Sequence, residues 1–358
     1  MAVSRSIGIA GGGLLGRLLA WQLSRAGHAV TVFDPAADAR PSFDGRQAAG
    51  FTAAGLLSPL AELATAGPAI ARLGVRSVRR WGEIATQLRA APAFNDRGSL
   101  MLAHRDDLGA AQRVLARLCD HGVPGLGAAQ PLNAIGLAQL EPAVRGIAHA
   151  WWLPGEAQID APAALMALHD EAPRVRWCWG RSVEAVLPGA LRVAGEGVHR
   201  FDLVFDVRGL GSRPDWPLRG VRGEMVWLQA PAVALSRPVR LLHPRHGIYL
   251  VPRPDDVLLV GATEIESEDR SPVSLKSAVE LMAAAHSVLP ALAEARILRL
   301  DRNLRPALPD NAPRIEVQDG LVRINGLFRH GWLMAPALVD DGLAQAGLVD
   351  AAVVAAAA

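Results

Sequence analysis

Lysine is almost missing from this chain: Lys276 is the only one, and nearly every positive charge is an arginine. With a formal net charge of only +2, the sequence lacks the basic footprint of a nucleic-acid binder, and no nucleic-acid partner is expected. One local basic pattern exists, Arg72, Arg76, Arg79 and Arg80 opposite Leu73, Trp81, Ile84 and Leu88, and it reads as a solvated helix face. Cysteine is equally scarce. Cys119 and Cys178 give no disulfide framework and no C-x-x-C metal spacing, which fits a reducing cytoplasm. G-x-S-x-G and H-E-x-x-H do not occur, and His104, His243 and His246 are scattered, so neither a nucleophile elbow nor a metal site is expected. Long apolar runs are missing as well. The start reaches a glycine-rich turn without a signal-peptide core, and Ala351 to Ala358 is too short to cross a bilayer, so no membrane partner is expected.

What is present is a globular composition, 51% hydrophobic and 20% charged over 358 residues, long enough for two cores. The opening reads strand, turn, helix, strand: Ser6 to Ala10, Leu14 to Arg25, Ala29 to Phe33. Arg46 to Pro59 reads as a loop of small residues and Pro68 to Arg89 as a helix. Further on, Gly98 to His104 is strand-like, Asp106 to Asp120 helical, Pro162 to Asp170 helical and Arg200 to Val207 a strand. Gly223 to Gly261, broken by Pro231, Pro238, Pro244 and Pro252, predicts an antiparallel sheet with edge-type breaks. Leu321 to Ala346 predicts strand, glycine turn, helix. No repeat or low-complexity linker marks a boundary, so the two parts are expected to interleave.

Gly11-Gly12-Gly13-Leu14-Leu15-Gly16 satisfies G-x-G-x-x-G in the context that motif needs, after a strand and at a helix start. Gly11 permits the tight turn, Gly13 lets backbone approach a pyrophosphate, and Gly16 lets helix and sheet pack closely. Phosphates would then meet the N–H groups of the helix beginning at Leu14. Asp34 closes the second strand eighteen positions after Gly16, near the roughly 20 at which an acid reaches the adenosine ribose hydroxyls. An acid there disfavours a 2′-phosphate. The turn alone does not separate NAD from FAD.

Six segments carry a resemblance that does: IGIAGGGLLG, FTAAGLLSPLAE, RGEMVWL, IYLVPRPDDVLLVGATE, NLRPALPDNAP and INGLFRHGWLMAPA. In this order they resemble the D-amino-acid-oxidase-like flavoproteins, and within them the glycine oxidases of thiamine biosynthesis, the ThiO type, from Ile7 to about Ala346. The resemblance implies an α/β fold in which a Rossmann-like βαβ FAD-binding domain (1–60, 160–215 and 316–358) interleaves with an α+β substrate domain on an antiparallel sheet (61–159 and 216–315). It implies noncovalent FAD, held by Leu14, Leu15, Asp34, Pro35, Ala49, Gly50, Ala54, Gly55, Leu56, Val183 and the segment Leu327, Phe328, Arg329, His330, Gly331, Trp332 and Leu333. No cysteine lies near that last segment to form a thioether. Gly331, opening a helix, would aim N–H groups at the flavin ring.

The same resemblance implies a substrate carboxylate on Arg305, with Tyr249 lining the pocket and Arg329 beside the flavin. An arginine suits this because its planar fork can hold a carboxylate bidentately. The implied reaction is hydride transfer from the substrate Cα to the flavin, which leaves an imine for hydrolysis or for thiazole synthesis, with oxygen or another acceptor reoxidising the flavin. No protein side chain is assigned as catalytic. The expected substrate is glycine or another small amino acid or amine, and self-association into a homo-oligomer is left open. Two other readings remain open: a dehydrogenase of the same fold using a non-oxygen acceptor, and a flavin-binding subunit without turnover. Three residues depart from the family pattern. Arg208 puts a charge near the cofactor, toward a phosphate or toward solvent; Asn303 replaces a small residue; and Glu264 follows Gly261-Ala262-Thr263 where a pocket residue stands.

Overall fold

The structure is a computed structural model that describes residues 4–119, 122–172, 174–243 and 247–349. Two sheets organise it. In the six-stranded sheet the order is Arg314–Gln318, Leu321–Asn325, Leu203–Asp206, Ser6–Ala10, Ala29–Asp34 and Arg176–Trp179, parallel except for the first pair. Its central strands are apolar on both faces, with Ile7, Ile9 and Phe205 fully buried, as a parallel sheet covered on both sides requires. One face carries the helices Leu14–Arg25, Ala161–Asp170 and Gly331–Gln345. On the other lies a three-stranded meander, Val183–Leu187, Ala190–Val193 and Gly197–Arg200.

The eight-stranded sheet runs Arg296–Ala307, Arg219–Gln229, Val257–Gly261, Ile248–Arg253, Val239–Leu241, Ser99–Ala103, His149–Leu153 and Gln130–Leu132. It is antiparallel apart from Val239–Leu241 beside Ser99–Ala103, and the helix Leu275–Val288 covers its core. The predicted breaks are partly borne out. Pro231 and Pro238 stand outside the strands, whereas Pro252 sits inside Ile248–Arg253, opposite Leu258. It is tolerated because the neighbour on the other side, Val239–Leu241, pairs only with residues 248–250. Pro244 and His246 lie outside the described residues, as do Asp120 and the Ala351 to Ala358 run.

Two local expectations need correction. The Arg46 to Pro59 loop contains a 3-10 turn, Ala49–Thr52, and a short strand, Leu56–Leu57, paired with Ala157–Gln158. The arginine face of the Gly67–Gln87 helix is not simply solvated: Arg76 pairs with Asp341 at 2.6 Å and Arg80 with Asp340 at 3.2 Å, both on the last helix. Those partners were out of view because they lie far along the chain.

The same two helices share a buried aromatic contact. Trp81 stacks on Trp332 at 5.1 Å between ring centroids, and its Nε1 donates to the Trp332 carbonyl at 2.8 Å. That carbonyl is available because its intrahelical partner four residues on is Pro336, which has no N–H. Ser77 Oγ takes the next amide, Ala337 N, at 3.1 Å. Proline inside the helix is thus satisfied from across the interface. No described helix is long and apolar enough to cross a membrane.

Candidate active site

A cavity of about 1520 Å³ lies between the two sheets. The parallel sheet reaches it through the glycine turn. Gly11 has φ +109°, and a Cβ on Gly16 would stand 1.8 Å from the Gly11 carbonyl, so neither position admits another residue without rebuilding the turn. Gly16 is accordingly a packing glycine that does not line the cavity, while Gly11, Gly13, Leu14 and Leu15 do. Gly13 is the N-cap of the first helix, and no side chain caps it. Elsewhere Asp160 and Asn133 supply such caps. The first helix therefore presents uncapped N–H groups beside the cavity, as an anion site requires.

Asp34 accepts from Gly12 N at 2.6 Å through one oxygen and from Ala36 N at 2.8 Å through the other, so the strand end and the turn are locked together while the carboxylate lines the cavity. Sequence reading missed what supports this turn. Arg17, buried in the first helix, donates to the carbonyls of Gly12 at 2.9 Å, Leu165 at 2.8 Å and Ala39 at 2.7 Å. Burial pulls its pKa down to about 10 against the opposing pull of Asp34 and Asp170. The only signal was a charge within the apolar run Leu14 to Trp21.

Pro35, Ala49, Gly50, Ala54, Gly55, Leu56 and Val183 also line the cavity. So does the segment Leu327 to Leu333, which enters the last helix, Gly331–Gln345, through a turn with Gly326 at φ +78° and Phe328 at φ +49°. No side chain caps this helix start either, so a second set of N–H groups is available. Trp332 Nε1 ties it to the Gly50 carbonyl at 3.1 Å. Arg208 lines the cavity but points neither to a phosphate nor to solvent as anticipated. Its guanidinium forks onto the buried Asp206 at 2.9 and 2.8 Å and donates to Val183 O at 3.1 Å. Despite its burial, the pair with Asp206 raises its pKa.

The antiparallel sheet contributes Tyr249 and Arg305. Arg305 Nη1 and Nη2 both donate to the Thr263 carbonyl, at 3.0 and 3.1 Å, and Nη1 reaches Arg222 O at 3.4 Å. The guanidinium lies over Gly223, where a Cβ would come within 2.2 Å of Nη2. Beneath it Arg222 pairs with buried Glu224 at 2.6 Å, and Thr263 Oγ1 accepts from Glu224 N at 2.9 Å, which fixes the carbonyl that Arg305 uses. Among the described residues Arg305 makes no carboxylate pair. Burial lowers its pKa, with Tyr249 and Glu264 opposing. Burial likewise raises the Tyr249 hydroxyl.

Arg329 is already engaged: Nη2 donates to Glu62 Oε2 and to Thr65 Oγ1, both at 2.7 Å, and Nη1 to Glu264 Oε2 at 3.0 Å. His330 Nδ1 faces the same Glu62 oxygen at 3.4 Å, and Arg240, whose guanidinium lies 5.9 Å from the Tyr249 ring centre, stands 3.9 Å from Glu62. Glu62, Thr65 and Arg240 were not foreseen as site residues. Asn303 bridges to the Gln47 carbonyl at 3.2 Å.

The cavity suits an FAD: a turn that a Cβ would fill, two uncapped helix starts, an acid at the strand end, and charged side chains where a small acid could sit. Comparison with known proteins agrees. The model of the FAD dependent oxidoreductase (DAO) family matches residues 6–339. A Rhizobium etli protein named as a thiamine biosynthesis oxidoreductase, ThiO, is 37% identical over 335 residues, covering 92% of this chain and 93% of that one. The glycine oxidase of Geobacillus kaustophilus is 25% identical over 368 residues, covering 96% and 92%. The crystal structure of glycine oxidase from Geobacillus kaustophilus superposes with a TM-score of 0.80 at 23% identity, covering 97% of this chain and 95% of that one, a likeness of fold.

Proposed function

The chain belongs to the FAD-dependent oxidoreductase (DAO) family, and from that premise we propose that it oxidises the amine of glycine or another small amino acid whose carboxylate is held by Arg305. The observation that carries the reading is a largely buried cation, Arg305, with no carboxylate partner among the described residues. Arg305 lines the cavity, its hydrogen bonds run from Nη1 and Nη2 to backbone carbonyls, and burying an unpaired charge costs on the order of several kcal/mol unless a ligand supplies the countercharge. Arg329, in contrast, is neutralised by Glu62 and Glu264.

Under this reading Gly13, Leu14, Leu15, Asp34 and Val183 hold the adenosine and phosphate parts of FAD, and the Leu327 to Leu333 segment faces the flavin ring. When bound, the cofactor supplies the oxidising equivalent, taking a hydride's two electrons from the substrate carbon. The protein's part is placement. The Arg305 fork fixes the acid so that one Cα hydrogen points in a set direction, and Tyr249 lines the same pocket. The uncapped start of the Gly331–Gln345 helix puts a partial positive charge where negative charge develops. The division of the chain into 1–60, 160–215 and 316–358 for the cofactor and 61–159 and 216–315 for the substrate follows the same logic. The similarity to ThiO makes thiamine biosynthesis, in the cytoplasm, the proposed setting, with oxygen or another carrier as final acceptor.

The test is anaerobic. Mixing the FAD-loaded enzyme with glycine, sarcosine and D-alanine should bleach the flavin's visible absorption with at least one of them. Protein that binds FAD and is bleached by none would sink the amino-acid reading.

A further inference from the structure

We propose that the strand Arg296–Ala307 clasps the loop 43–47 and that Arg302 and Asn303 are thereby positioning residues for FAD, an inference that rests on the cofactor lying along this cavity. Three alternate carbonyls of the loop are taken by side chains from the antiparallel-sheet side. Phe43 O accepts from Arg302 Nη1 at 3.2 Å, Gly45 O from Arg270 Nη1, and Gln47 O from Asn303 Nδ2 at 3.2 Å. The Phe43 ring is held as well: the Arg299 guanidinium covers it at 3.4 Å from the ring centre and covers Trp227 at 3.8 Å. Arg299 is in turn fixed by the buried Asp301 at 2.9 Å.

The loop contains no helix or strand of its own. Its amides turn back on local side chains, Arg46 N on Asp44 Oδ1 at 2.9 Å and Ser42 N on Gln47 Oε1 at 3.1 Å, which leaves the carbonyls for outside donors. Yet it sits where the cofactor must pass. Asp44, Arg46, Gln47 and Ala48 line the cavity, and a Cβ on Gly13, at the start of the first helix, would stand 3.2 Å from the Ala48 Cβ. Without the clasp, binding FAD would also have to order the loop, and that entropy would be lost from affinity. Arg305 lies two residues beyond Asn303 on the same strand, so one element sets both the cofactor loop and the substrate anchor.

The experiment is fluorescence titration of the apoprotein with FAD. Arg302→Ala and Asn303→Ser should each raise the dissociation constant by roughly ten-fold or more, the effect of losing one charge-assisted hydrogen bond or of freeing the loop. Arg302→Lys should recover part of the loss. Arg296→Ala, on the same strand but exposed and only loosely paired with Glu294 at 3.8 Å, should change nothing. Apoprotein melting temperatures near the parent's, with faster amide exchange confined to residues 43–48, mark positioning as distinct from general destabilisation. Should Arg302→Ala fail to fold, Asn303→Ser decides. Unchanged FAD affinity in folded Arg302→Ala or Asn303→Ser overturns the proposal, provided Asp34→Ala weakens binding; if Asp34→Ala also leaves affinity intact, it is the placement of FAD itself that fails.

Discussion

Glu62 and Arg329 meet at 2.7 Å beside the cavity, and the pair decides which arginine is left for a substrate. Burial alone would raise the Glu62 pKa, but Arg329, His330 and Arg240 outweigh it and hold the carboxylate at about 2. Because the folded-state value is depressed, this stabilisation is present above the ordinary 4.5 and is lost as pH falls toward about 2. Glu62→Gln should therefore cost about 1–3 kcal/mol at neutral pH, less than a fully buried pair because Arg329 is 30% exposed. The variant should also lose stability less steeply than the parent across that acid window. Urea denaturation over a pH series measures both effects, and parallel curves would exclude the pair as a stabilising element.

His330 behaves in the same direction for a different reason. Burial, foremost, lowers its pKa to about 4, despite the opposing pull of Glu62. Between pH 6.5 and about 4 the unfolded chain takes up a proton that the folded protein refuses, so stability drops as pH falls through that range. His330→Asn should flatten that part of the profile. In the parent, the imidazole NMR signals of His330 should show a neutral ring at pH 6; a charged ring there would overturn the assignment.

Trp81→Phe should destabilise the protein by about 1–3 kcal/mol, because the Trp332 carbonyl loses the donor that replaces its missing helical partner. Thermal melts check this, and Pro336→Ala provides the cross-test. By restoring an N–H at position 336, it should reduce the cost of Trp81→Phe in the double variant. Additive effects would mean that Trp81 acts through packing alone.

How far the sequence could be read follows the range of the interactions. The strand Ser6–Ala10 and the helix Leu14–Arg25 lie where periodicity put them, because a glycine turn and an apolar run are local signals. Arg296–Ala307 gave no such signal. Its inward positions include Asp301 and Asn303, which are buried only because Arg299 and the Gln47 carbonyl meet them. Glu62 had no visible role either, since its partner Arg329 is 267 residues away. Arg208 was legible as a charge near the cavity, but Asp206, two residues earlier, was not read as its partner. Glu264 was legible as a departure at a pocket position, but its partner Arg329, 65 residues on and 3.0 Å away, was not.

Asp34→Ala should weaken FAD binding by roughly 10- to 100-fold, the loss of one charge-assisted hydrogen bond to a ribose hydroxyl together with the link to Gly12 N. Asp34→Asn keeps an acceptor for that amide and should be milder. Fluorescence titration with FAD separates the two variants. Equal and unchanged affinities would remove Asp34 from the site.

Arg305→Ala tests the proposed function most directly. In the parent, the guanidinium rests over Gly223 and against the Thr263 carbonyl, so its position is set before any ligand arrives. Removing it should leave FAD binding and melting temperature nearly unchanged, since Arg305 forms no ion pair among the described residues. A substrate carboxylate would then enter a partly desolvated pocket unpaired, a loss of about 2–5 kcal/mol, and the amino acid concentration needed for half-maximal flavin reduction should rise roughly 30-fold or more. Arg305→Lys should restore only part of this, because an ammonium keeps the charge but not the planar fork. Ethylamine, which has no carboxylate, is the control: its weak reaction should be nearly the same in parent and variant. If amino acid and amine suffer equally, Arg305 supports the fold or the flavin, and the carboxylate must be held elsewhere. Arg240 would be the next to examine, because Glu62 and Glu264 already occupy Arg329.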